Sequence, residues 1–318
     1  MRWLIRIAAA LVLMGGTLVA FGPYEPLDLT ARAPATTPAS FVAREAVFTD
    51  IRPGAAKQVI WAGVEGAKTP FSVVYLHGFS ASAQEIRPVP DLLARELGAN
   101  LIYTRYAGHG RSDPDAMGGA SATDWIIDTA EALDVARQTG DRVIILATST
   151  GATLAALAMT QPDLAQGVAG VAMVSPNFAV NSPAAPLLTF PAARLWVPLI
   201  VGPRRGFDPL GPEQAAHWTT DYPTTALLPM ARAVQAAGRA DLGRVTLPLL
   251  VYFSDADQVV RADATRATIA RWGGPVTEVP APGGAGTDPS AHVMAGDILS
   301  QANTAGATAA LVAWARGL

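Results

Sequence analysis

Between residues 71 and 176 the chain alternates, each short apolar run being followed by a longer stretch of helical character. The runs are FSVVYLHGF (71–79), the NLIY that opens NLIYTRYAGHG (100–110), RVIILATS (142–149) and VAGVAMVSP (168–176). A strand that faces solvent alternates apolar and polar residues, whereas a strand buried on both faces reads as an unbroken apolar run. Strands separated by helices build βαβ units. The expected fold class is therefore α/β: a mostly parallel central sheet covered by helices on both faces. Two of the intervening helices are easy to read. AQEIRPVPDLLARELG (83–98) has Pro88 and Pro90 near its start and Gly98 as a stop. In 121–140, Trp125, Ile126, Ala130, Leu133 and Ala136 recur at intervals of three and four.

After residue 178 the alternation stops. Residues 179–245 are rich in proline and carry Phe190, Trp196, Phe207 and Trp218, and then LPLLVYFSDADQVV (247–260) restores a strand. A helix near 262–272, the short strand PVTEVP and a helix from about 303 follow. An insertion at about 179–245 between two sheet strands would overhang their carboxyl edge, where open α/β sheets bind ligands. Its apolar pieces, PLLTFPAARLWVPLIVG (186–202) in particular, suit a wall for a greasy substrate as well as packing onto the core.

Composition narrows the function classes. The chain has 318 residues and a net charge of -3, with Lys57 and Lys68 as its lysines and no basic block, which argues against a nucleic-acid partner. The absence of cysteine removes disulfides, thiolate nucleophiles and cysteine metal sites together. At the N-terminus, Arg2 and Arg6 precede an uncharged run that lasts until Glu25. Such a run is long enough to cross a bilayer, and the preceding positive charges would keep the extreme N-terminus in the cytoplasm. Residues 1–22 are expected to be a signal-anchor helix or a cleaved signal peptide. The protein would then be exported, either membrane-anchored with its main domain outside the cytoplasm or, if the segment is cleaved, secreted or periplasmic. Residues 23–54 read as a tether and the start of the globule, and 55–318 as the main domain.

Ser149 stands where the strand RVIILATS turns directly into the helical run TGATLAALAMTQ. A tight strand-to-helix turn exposes a serine hydroxyl at a helix N-terminus and needs small neighbours, usually as G-x-S-x-G. Here the pattern is Ala147-Thr148-Ser149-Thr150-Gly151. Serine in such a place is also an ordinary helix cap. A serine nucleophile needs a base, and the base needs a carboxylate to fix its tautomer. Of His77, His109, His217 and His292, only His292 follows the last strand, in a loop that returns to the carboxyl edge. Asp255 and Asp257 lie just past a strand end, where they could equally form a solvated turn. The order Ser, Asp, His suits this topology.

HGFS after one strand, GHGRS after the next, TSTG at the turn, and SDADQVV with a late HVMAGD together resemble the α/β-hydrolase superfamily, in its monoglyceride lipase and carboxylesterase-like branch. The resemblance covers roughly 55–318 and implies a helical lid in the insertion, with WTTDYPTTALLPMARAVQAA (218–237) similar to the family's lid helices. It implies a serine hydrolase acting on small-molecule esters of apolar acyl groups, through Ser149, His292 and an acid three residues before a valine, which selects Asp257 before Val260. It also implies backbone N–H donors for the oxyanion at Phe79 and Thr150, a loop-orienting role for His77, a structural role for the His109 loop, and no metal or organic cofactor. The same triad serves an aminopeptidase or amidase of this fold, and a catalytically silent binding module is the remaining alternative.

Overall fold

The computed structural model describes residues 2–318. Helix α1 (Arg2–Phe21) contains an apolar window of mean hydropathy 2.1, none of whose described residues is buried. Among the described residues it is the one helix long and apolar enough to cross a bilayer.

Residues 23–54 lie along the globule. The Pro23 carbonyl accepts the Ala192 amide at 2.7 Å, and Glu25 receives two bonds from Arg194, at 2.7 and 2.8 Å. Helix α2 (Pro38–Ala43) is opened by a reciprocal cap, Thr37 and Ser40 each receiving the other's amide, and it buries Phe41 completely. In the turn beyond it, both carboxylate oxygens of Glu45 accept from the buried Arg105, at 2.7 and 2.8 Å.

The sheet begins with β1 (Gln58–Ile60) and β2 (Thr69–Leu76). Then α3 (Val89–Leu97), β3 (Asn100–Tyr103), α4 (Ala122–Thr139), β4 (Gly140–Thr148), α5 (Thr150–Met159), the short α6 (Pro162–Ala165) and β5 (Val168–Val174) follow in turn. The insertion contributes α7 (Ala193–Val201), a small hairpin of β6 (Arg204–Gly206) and β7 (Asp221–Pro223) around α8 (Pro212–His217), and α9 (Leu227–Arg239). Finally β8 (Leu249–Phe253), α10 (Ala262–Ile269), β9 (Val276–Pro280) and α11 (Gln301–Ala315) complete the chain. The sheet has seven strands in the order β1-β3-β2-β4-β5-β8-β9, all neighbours parallel except β1 and β3. This is the mostly parallel α/β arrangement expected from the alternation, and the sheet of the α/β-hydrolases that the motifs resemble.

Side chains of successive strand residues point to opposite faces, and both faces are covered. Val74, Leu76, Ile145 and Ala147 pack into the layer with α4, α5 and α9, whereas Val73, Tyr75, Ile144 and Leu146 pack into the layer with α3 and α11. Helix α3 starts later than the expected residue 83. Pro88 and Pro90 disfavour helical backbone in the residues before them, and 83–88 turn inward instead, burying Glu85 and Ile86. Gly98 ends α3 in the left-handed conformation at φ 58°. Helix α4 is started by a reciprocal cap between Ser121 and Asp124.

The insertion is bonded to the main body over the carboxyl edge. The Thr219 amide donates to the Ser80 carbonyl at 2.7 Å, and Arg52 donates to the carbonyls of Ala215 and Trp218 at 2.9 and 2.7 Å. Its helix α7 leaves Leu195, Leu199 and Ile200 at 71%, 86% and 72% exposure.

Candidate active site

Ser149 caps α5 with φ 49° and ψ -116°, a strained left-handed backbone for a residue with a Cβ. The turn is fixed by its neighbours: the Ser149 amide donates to the Val174 carbonyl at 3.0 Å, and its own carbonyl accepts the amides of Ala152 and Asn177 at 3.0 and 3.1 Å. Gly151 is required because a Cβ there would stand 2.2 Å from the Leu76 carbonyl oxygen. The sharp turn leaves the hydroxyl at the carboxyl end of β4, in the middle of the sheet.

The structure brings Ser149, His292 and Asp257 together. His292 Nε2 lies 3.0 Å from Ser149 Oγ, and its Nδ1 lies 2.8 Å from Asp257 Oδ2. The other Asp257 oxygen accepts the amides of Val259 and Val260, each at 2.8 Å. That is the physical content of an acid three residues before a valine: the Val260 amide closes the turn onto the carboxylate. Asp255 points outward and pairs with Arg266 at the surface, so it plays no part in the cluster. The turn and the histidine loop are joined directly, the Gln258 amide donating to the Ser290 carbonyl at 2.9 Å.

Burial disfavours the charged form of His292, but its hydrogen bond to Asp257 and the charges of Asp257, Glu85 and Asp288 outweigh burial and hold its pKa above the ordinary value. Asp288 is a residue the sequence reading missed. Its Oδ2 accepts the amides of His292 and Val293 at 3.2 and 2.8 Å, and its own amide donates to Ser300 Oγ at 2.9 Å, which fixes the loop that carries the imidazole. Nothing in TDPSAHV distinguishes such an aspartate from one in a solvated turn.

Phe79 and Thr150 both line the cavity that contains Ser149. Among the described residues neither backbone N–H donates to a protein acceptor. The loop carrying Phe79 is held by His77, which is fully buried. The Tyr106 amide donates to His77 Nε2 at 3.2 Å, so the ring proton is on Nδ1 and is donated to the Gly78 carbonyl at 2.8 Å. Burial pushes the His77 pKa down to about 4, which keeps this tautomer neutral. His109 is likewise buried, its pKa pushed down chiefly by burial, and its ring meets those of Phe79 and Trp125 edge-on.

A second unanticipated residue is Glu85. Its Oε2 accepts the Gly78 amide at 2.6 Å and the Tyr75 hydroxyl at 2.9 Å, and it is 2% exposed. No signal in the sequence marks it, because residues 83–98 read as a single helix.

The cavity above these groups has a volume of about 640 Å³. Its floor is Ser149, His292 and the Phe79 loop, and Phe207, Leu210, Trp218, Leu227 and Met230 from the insertion form an apolar wall. The arrangement offers a hydroxyl hydrogen-bonded to an imidazole that is itself bonded to a buried carboxylate, beneath a mostly apolar chamber.

The sequence profile of the family described as serine aminopeptidase, S33, matches residues 68–279, well over half of the chain. The chain is 29% identical over 196 residues to a thermostable monoacylglycerol lipase of Bacillus sp. (strain H-257), covering 60% of this chain and 72% of that one. Among solved structures, one of the metagenome-derived lipolytic enzymes LipS and LipT superposes with a TM-score of 0.65 at 19% identity, covering 84% of this chain and 100% of that one. A soluble variant of the monoglyceride lipase of Saccharomyces cerevisiae, in complex with a substrate analog, gives 0.61 at 12% identity over 92% and 97%. These solved structures share the α/β-hydrolase fold, and the profile match over well more than half of the chain shows that it belongs to the serine aminopeptidase S33 family.

Proposed function

We propose that the protein hydrolyses carboxylic esters of apolar acyl groups through Ser149, His292 and Asp257. The observation that carries this reading is the hydrogen-bonded chain from Ser149 Oγ through His292 to Asp257, 3.0 and 2.8 Å long in its two links, at the floor of an apolar chamber. Ser149 Oγ attacks the ester carbonyl while His292 Nε2 takes its proton. Asp257 holds the imidazole in the correct tautomer and stabilises its charged form. The oxyanion is received by the N–H groups of Phe79 and Thr150, each contributing about 3 kcal/mol. As the C–O bond to the alcohol breaks, His292 returns the proton to the leaving oxygen. Water, deprotonated by the same imidazole, then releases the acid and restores Ser149.

The similarity to a monoacylglycerol lipase and the apolar wall support an acylglycerol-type ester, and the insertion in this reading is a lid that shelters the acyl group. Helix α1 serves as a signal or membrane anchor, its two arginines remaining on the cytoplasmic side while the globule faces outward. A second reading, cleavage of amides next to a free amine, is favoured by the description of the matched family.

A fluorophosphonate probe should label the wild type, and Ser149→Ala should abolish labelling and lower ester turnover by about 10⁴–10⁶-fold. Equal labelling of both would remove the serine from the chemistry. Faster turnover of aminoacyl anilides than of p-nitrophenyl esters would favour the amide reading.

A further inference from the structure

We propose that Glu85 is a positioning residue of this site: uncharged, it fixes the backbone that presents the Phe79 N–H, and by ionising it shuts the site down. The inference rests on the roles proposed above for Ser149, His292 and Phe79.

Gly78 precedes Phe79, and glycine has the loosest backbone of any residue. Both sides of Gly78 are tied. Glu85 Oε2 takes its amide at 2.6 Å, and His77 Nδ1–H donates to its carbonyl, 2.8 Å away, in the peptide that contains the Phe79 N–H. Losing either tie frees the peptide to rotate. Gly78 cannot be stiffened by a side chain, because a Cβ there would stand 2.5 Å from Glu85 Oε1 and 3.2 Å from Ser149 Cβ. Glu85 Oε1 and Ser149 Cβ thus approach the same face of Gly78.

The two oxygens of Glu85 are used unequally. Oε2 accepts from Gly78 and from Tyr75, whereas Oε1 has no hydrogen-bond partner among the described residues, and Glu85 lines the cavity with Ser149 and His292. In the neutral acid the proton therefore belongs on Oε1. The groups facing this carboxyl are Tyr75 from β2, with Thr148 Oγ1 of β4 3.1 Å from its hydroxyl, Tyr106 after β3, and His292 with Asp257 and Asp288 behind it. No lysine or arginine among the described residues pairs with it. Burial pushes its pKa up to about 7, against the opposing influence of the Gly78 and Tyr75 bonds and the His292 charge. Tyr75 and Tyr106 are pushed above their ordinary value by burial and remain neutral.

The two ionisations act in opposite directions. Ser149 is activated when His292 loses its proton, so the rate rises with pH through that pKa. When Glu85 loses its own proton, a negative charge appears next to the forming oxyanion, and the same charge favours the imidazolium of His292. The first effect lowers the rate as pH rises further, and the second moves the ionisation of His292 to higher pH. Because the two groups interact, the apparent pKa values belong to the pair.

The test uses the full chain and reads the second-order rate of Ser149 phosphonylation by a fluorophosphonate between pH 5 and 10, with kcat and KM on a p-nitrophenyl ester alongside. In the labelling step Ser149 Oγ bonds to phosphorus, fluoride leaves and His292 takes the proton, so no natural substrate need be known. Wild type should give a bell, falling about tenfold per pH unit beyond its alkaline inflection. In Glu85→Gln the amide oxygen keeps both acceptor bonds without a charge, so the alkaline limb should vanish and the acid limb move to lower pH. Glu85→Ala should lose about 10–100-fold in kcat with a smaller change in KM. A wild type without an alkaline limb, a Glu85→Gln that keeps it, a Glu85→Gln as slow as Glu85→Ala at every pH, or an unimpaired Glu85→Ala would each overturn the inference. Should Glu85→Ala fail to fold by near-UV circular dichroism, the limbs of Glu85→Gln decide alone. Absence of labelling at wild-type Ser149 would overturn the functional reading and this inference with it, whereas labelling with an unchanged limb overturns only the latter.

Discussion

Two aspartates two positions apart have opposite surroundings. Asp257 is surrounded by the amides of Val259 and Val260 and the ring of His292, and its side chain is 2% exposed; Asp255 is a surface partner of Arg266. Replacing Asp257 by Asn keeps the shape but offers Nδ1 of the imidazole a donor where it needs an acceptor. Under the proposed mechanism Asp257→Asn should lower kcat by about 10⁴-fold. Asp255→Asn should stay within about threefold of wild type, since an exposed pair contributes at most ~1 kcal/mol. Steady-state kinetics on one p-nitrophenyl ester separates the two. Some of these residues could be found in the sequence and some could not. Ser149 was visible because strand, turn and helix meet there with only small residues on both sides, and Gly151 shows why a side chain is excluded. Glu85 and Asp288 were invisible because their work is done on backbone amides. A carboxylate that collects N–H groups has no fixed partner type to betray it.

The elements of the sheet were read from burial. β2, β4 and β5 carry unbroken apolar runs, Val73–Leu76, Val143–Ala147 and Val168–Val174, because helices cover both faces, and such a run announces this. β1 has three residues, an edge position and an exposed Ile60, so nothing in it signals a strand. The insertion was located by the interruption of the pattern, but its internal order was not readable, since its hairpin and α7 are largely exposed and their side chains answer to no single core. Helix α9 is the element on which substrate length should depend. Met230 and Val180 stand between the catalytic cavity and a second cavity of about 660 Å³ under residues 179–189. Met230→Trp would fill the wall of the first chamber. Turnover of long-chain p-nitrophenyl esters should fall by about tenfold or more, the loss of one to two kcal/mol of apolar contact, while acetate and butyrate esters change by less than threefold. A chain-length profile of the two proteins measures this.

The whole molecule is larger than the stretch that matches its family. That match begins at residue 68, yet Phe41 lies in the main core and Glu45 neutralises Arg105, which is 3% exposed. A chain lacking residues 1–22 should remain in the soluble fraction after cell breakage and keep its ester turnover, with the full chain sedimenting with membranes if α1 is the proposed anchor. A chain lacking residues 1–54 strands the Arg105 guanidinium, which costs about 3–5 kcal/mol, and empties the Phe41 socket for about as much again. Urea midpoints of the two shortened proteins should differ accordingly. The Glu45–Arg105 pair also sets a schedule. During synthesis, or during passage through a translocation pore, the acid emerges well before its cation, and the arginine arrives only once β3 has followed β2. A chain stalled before residue 105 would therefore trail an unclosed collar on which proteases and holding chaperones could act.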